Sequence, residues 1–159
     1  MVASSPAAES LRREIEGAFA NAKNLGDDKL VYDNSGGHLE CNEVAAAFRG
    51  KHWKEIPLDV LRYHSSGLFF FTPEAYRFYL PAYLIAAALY HDEADTIPGS
   101  VVFSLIPPSD ARDVQTYHRR MEGFTSSQRN AIKSFLEFLK AQHPGDDLLG
   151  DLDKALTSL

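Results

Sequence analysis

The residues of this chain best suited to chemistry gather around Arg77. It stands in "FTPEAYRFYLPAYL" with Tyr76, Tyr79 and Tyr83 close by in sequence, and a guanidinium flanked by aromatic rings is a group that clamps carboxylates or phosphates through its planar fork. A tyrosine-lined site of this kind would also draw on Trp53, on Glu40 and Glu43, which are three residues apart and share a helix face, and on His64. The indole supplies area, and the carboxylates and imidazole supply orientation and proton transfer. Each residue has a plainer use. Arg77 can pair with Glu74 one helical turn away. Core tyrosines carry their hydroxyls to some partner, and carboxylates in a first helical turn favour the positive end of the dipole.

The remaining constellations carry less. Cys41 lies near an expected helix start, where a thiolate is stabilised, and the six histidines His38, His52, His64, His91, His118 and His143 could supply a base. A small cysteine set among apolar residues reads instead as a core residue. In "YHDEAD", His91, Asp92, Glu93 and Asp95 crowd a helix end. Adjacent helical positions point apart, so a solvated terminus is expected there and no metal. Asp27, Asp28, Asp33 and Asn34 lack the spacing of a calcium loop and suit local turn hydrogen bonds. No nucleophile elbow, phosphate-binding loop, dinucleotide fingerprint or zinc-protease helix is present. The sequence therefore assigns no catalytic residue, metal or cofactor.

The elements that must hold these residues are mostly helical. Ser5 and Pro6 begin an amphipathic helix carrying Leu11, Ile15, Phe19 and Ala22 on one side. Leu30 to Tyr32 suit a short extended piece between Gly- and Asp-rich turns. "LECNEVAAAFRG" predicts a helix with Leu39, Val44, Ala47 and Phe48 inward and Gly50 as its stop. Pro57 opens a brief helix bearing Leu58, Val60 and Leu61. "GSVVFSLIPP" is the best strand candidate, β-branched and closed by a Pro pair, either pairing with "GLFFF" or simply lying buried. Helices follow over "SDARDVQTYHRRMEGF", "TSSQRNAIKSFLEFLKAQHPG" and "DDLLGDLDKALTSL", the middle one with a Thr125/Gln128 capping box.

Thr72 and Pro73 start the aromatic helix, where Tyr76, Tyr79, Tyr83 and Tyr90 share one arc and apolar residues fill most of the rest. Its uninterrupted apolar run from Phe78 to Tyr90 is 13 residues, too short to span a bilayer. A helix apolar nearly all round is then a central core helix. Pro81 predicts a kink or two shorter helices meeting there.

A net charge of -6 over 159 residues, with 24% charged and 45% hydrophobic residues, describes a globular chain whose surface repels phosphate backbones. Neither "GKHWKE" nor "YHRRME" is long or basic enough to reverse that. The length suits one domain over 1–159, with 1–5 expected to be disordered. A single cysteine and an N-terminus without a secretory pattern fit a cytoplasmic protein.

The stretch from Glu40 to Leu139, above all "FTPEAYRFYLPAYL" and "VVFSLIPP", resembles a family of small bacterial proteins catalogued as a domain of unknown function. The resemblance implies a small single domain and carries over no activity, cofactor or site residue. The fold expected is mainly α, about six helices around the central aromatic helix, with at most one small two-stranded β element. The function expected first is a non-enzymatic protein-interaction or regulatory module, marked by an exposed apolar patch with a polar rim. Against it stands a small-molecule-binding protein or enzyme built on the tyrosine-lined pocket around Arg77. Neither nucleic acid nor membrane is expected as a partner.

Overall fold

The computed structural model describes residues 5–23, 25–146 and 150–159. Eight α-helices occur among them: α1 (Pro6–Ala18), α2 (Leu39–Phe48), α3 (Leu58–Tyr63), α4 (Pro73–Leu89), α5 (Ile97–Ser104), α6 (Ala111–Glu122), α7 (Ser126–Gln142) and α8 (Asp151–Thr157). The disorder expected over 1–5 falls on residues that, Ser5 apart, lie outside those described; Ser5 Oγ accepts from the Ala8 N–H at 3.1 Å and caps α1. The other expected starts form in the same way. Thr72 accepts from Ala75 N–H at 3.1 Å, and Thr125 and Gln128 close a reciprocal capping box.

α4 is the axis of the molecule. Twelve of its 17 residues are buried, and α1, α3, α5, α6 and α7 all pack against it. The helix continues through Pro81 as one span, so the break into two helices does not occur. One lost backbone hydrogen bond and the ring clash cost about 3 kcal/mol. Full burial of a single large apolar side chain returns about 1.5–3 kcal/mol, and α4 buries Phe78, Leu80 and Leu84 among others. All eight helices contribute to one contiguous core.

The expected strands need correction. "GSVVFSLIPP" is not a strand: Ile97–Ser104 is α5, with Pro98 in its first turn. Ile97, Val101 and Leu105 recur every four residues and are fully buried, while Phe103 faces out. Such a short apolar run is ambiguous by periodicity, and the wall of α4 beside it rewards a helix, which satisfies its own backbone. "GLFFF" forms a 3-10 turn over Gly67–Phe69. No strand is present among the described residues; the only pairing is a bridge between Val31 and Phe71, flanked by Tyr32 N–H to Phe70 O at 3.0 Å and Thr72 N–H to Leu30 O at 3.1 Å. The extended piece at Leu30–Tyr32 thus finds a partner in the segment leading into α4.

Leu39 was expected to face inward and is 67% exposed. As the first residue of α2 it is followed by Cys41, Val44, Ala45 and Phe48, which form the buried face instead. His38 caps this helix, its Nδ1 accepting from Cys41 N–H at 3.2 Å. Gly50 adopts φ +74° and turns the chain out of α2, the left-handed conformation glycine adopts freely.

Candidate functional site

The three tyrosines of α4 send their hydroxyls to protein partners. Tyr76 meets Ser104 Oγ at 2.8 Å, and Ser104 donates onward to Val101 O at 2.7 Å. Tyr79 reaches the carbonyls of Phe48 at 2.9 Å and Lys51 at 2.7 Å, just past the end of α2. Tyr83 donates to His64 O at 2.7 Å. Burial raises all three pKa values, Tyr76 and Tyr79 to about 12. A phenol so shifted is a poor base at neutral pH. Tyr90 departs from this arc, ending α4 at 39% exposure.

Arg77 is occupied by backbone rather than by carboxylates. Its Nη1 donates to Arg119 O at 2.7 Å and Arg120 O at 3.1 Å, in the last turn of α6. From α7, Arg129 Nη2 donates to Met121 O. Two guanidiniums from neighbouring helices therefore cover the negative end of the α6 dipole. The space for Arg77 exists because residue 123 is glycine: a Cβ there would lie 2.2 Å from Arg77 Cζ. Arg120, 9% exposed, turns inward beneath Tyr76, 4.9 Å from the ring centre. It has one long bond to Leu68 O at 3.4 Å, and its Nε has no acceptor among the described residues.

The other candidates are dispersed. Trp53 is buried beside His52 and Lys54. Glu40 is exposed, 3.5 Å from His38 Nδ1, and Glu43 is exposed on α2. The half-buried His64 ring packs on Phe48 and Tyr63. Burial lowers the His64 pKa and the charge of Glu43 partly opposes this, so these two residues do sense each other. Cys41 is a free thiol and wholly buried. No three His, Cys, Asp or Glu side chains converge as a metal site among the described residues.

The cavities lie elsewhere. One of about 240 Å³ touches Tyr79 beside Arg49 and Lys51. One of about 290 Å³ touches Trp53 between α1, α3 and α4. Neither holds a second member of the Arg77 set. A cleft of about 670 Å³ opens between the α4–α5 turn, α5, the end of α7 and the start of α8, within the size range of ligand sites. Its floor is apolar, with Pro98, Val102, Leu139 and Leu152 all buried. At its rim Phe103, 67% exposed, meets Phe69 edge to face at 5.7 Å. Asp95, Thr96, Ser100 and Asp151 supply polar groups. Asp95 holds φ +55°, an uncommon conformation that aspartate tolerates better than most residues. His91, also in the lining, stacks on His143 at 3.5 Å.

The cleft is not legible in the sequence because its central element, α5, has the pattern of a strand. One signal was available: in "TIPGS" Pro98 falls in the first turn of a helix, where a missing N–H costs little. On a helix Gly99 and Phe103 then share the face opposite Ile97 and Val101.

No helix among the described residues is long and apolar enough to cross a membrane. No curated protein and no solved structure matches the chain. A family model matches residues 7–158, nearly the whole length and every helix of the fold, so the chain belongs to the family of unknown function designated DUF6714.

Proposed function

We propose that this protein is a non-enzymatic interaction module whose working surface is the cleft beside α5. The observation that carries this is Phe103, two-thirds exposed at the rim of an apolar-floored cleft with a polar border. Large aromatic residues left in water around a concavity mark places where a partner completes the packing. An enzymatic role has less to draw on: Cys41 is sealed in the core, the α4 tyrosines are held protonated, and the bonds of Arg77 end on backbone carbonyls. We read the module as cytoplasmic, from its lone cysteine, and its net charge of -6 argues against nucleic acid.

Gly99 supplies the test. A Cβ at this position meets nothing within 4 Å, so Gly99→Leu fills the cleft without disturbing the core. Peptides selected from a random library against the wild-type protein should shift the amide resonances of α5 and the α4–α5 turn, and should lose binding to Gly99→Leu. Selected peptides that map to another face, or bind Gly99→Leu unchanged, would overturn the assignment.

A further inference from the structure

Building on the cleft as a binding surface, we infer that its partner is a polypeptide segment carrying a lysine or arginine beside a large apolar side chain. Among the described residues the lining contains Asp95 and Asp151 and neither lysine nor arginine. Asp92 and Glu93, both exposed, lie in the α4–α5 turn between the lining residues His91 and Asp95 and add negative charge near the cleft. Lys154 stands 3.6 Å from Asp151, but that pair is solvent-exposed and holds its carboxylate weakly. Asp92 lies 3.6 Å from His91 Nδ1, and Asp95 is in no ion pair among the described residues. The rings of Phe69 and Phe103 offer faces and edges to either kind of side chain, since a cation over a phenyl face gains about as much as an exposed ion pair. An acidic rim over an apolar floor thus complements a segment that is basic and apolar at once, and the net charge of -6 steers such a segment inward. Nucleic acid and anionic lipid would meet repulsion at the same rim.

A polypeptide suits the shape better than a free organic amine. Small-molecule sites bury most of their ligand, whereas Phe103 stands in solvent at the cleft edge, where a ridge of side chains can lie across it.

The test uses a short capped peptide alternating lysine with leucine and tryptophan, and a counterpart with glutamine for every lysine, followed by fluorescence anisotropy. The lysine peptide should bind the wild-type protein, with affinity falling as salt rises, and the glutamine peptide should bind more weakly. Asp95→Asn keeps a side chain that tolerates φ +55° and should weaken the lysine peptide about fivefold, the scale of one partly exposed charge contact. Gly99→Leu leaves every charge in place and should abolish binding. Equal affinity for the two peptides, or no effect of Asp95→Asn, would refute the basic class while leaving the cleft as a binding site. Binding that survives Gly99→Leu would refute both. Displacement of the peptide by cadaverine alone would assign the site to a small organic cation and overturn the polypeptide partner.

Discussion

Replacing Gly123 with alanine should destabilise the protein, and should stabilise it once Arg77 is gone. Gly123 follows α6 at φ -82° and ψ -5°, a conformation alanine adopts without strain, so by itself the change gains about 0.5 kcal/mol through the unfolded chain. The new Cβ would nevertheless fall 2.2 Å from Arg77 Cζ and 2.3 Å from Nε. The guanidinium must leave, and its bonds to Arg119 O and Arg120 O leave with it. For a partly exposed arginine on a helix C-terminus that loss is about 1–2 kcal/mol. The net effect in the wild-type protein is a loss of about 1 kcal/mol, which lowers Tm by about 2–4 °C for a chain of this size. In an Arg77→Met background the same substitution should raise stability by about 0.5 kcal/mol, a coupling of about 1.5 kcal/mol in the double-mutant cycle. Urea unfolding followed by the fluorescence of Trp53, the sole tryptophan and 3% exposed, reads both backgrounds. Equal effects of Gly123→Ala with and without Arg77 would show that the guanidinium does not occupy that space.

Alkaline titration provides a second check. Burial raises the folded pKa of Tyr76 and Tyr79 from 10.0 to about 12, and that of Tyr83 further. The folded state therefore holds these protons more tightly than the unfolded state, and the stability they contribute is complete below pH 10 and lost as pH rises toward about 12. Absorbance of tyrosinate should show Tyr76, Tyr79 and Tyr83 ionising together with loss of helical circular dichroism; early, non-cooperative ionisation of these three would contradict their burial. Arg120→Met should leave stability in urea unchanged or raise it by about 1 kcal/mol, because a buried cation with no hydrogen-bonded carboxylate among the described residues, and only the more distant charge of Asp113, gains little to offset its desolvation. A loss above about 2 kcal/mol would instead reveal a strong partner for the guanidinium.

What the sequence determined by itself was whatever depends on neighbours within a turn of chain. Ser5 with Ala8, Thr72 with Ala75 and Thr125 with Gln128 are bonds across three residues, so their helix starts were legible. So was the central place of α4, since an apolar circumference leaves a helix of that length nowhere to go but the core. The fate of the tyrosines and of Arg77 depended on distant chain. Their partners lie 19 to 43 residues away, and only packing decides which carbonyl an aromatic hydroxyl or a guanidinium meets. The α5 segment shows the same limit from the other side. Eight residues rich in valine and isoleucine satisfy a strand or a helix equally well by pattern. The surface of α4 chose the helix, and with it turned Phe103 outward over Gly99 and opened the cleft that Leu139 and Leu152 floor from the far end of the chain. Local chemistry set where the helices begin; tertiary packing set which side chains were left at the surface.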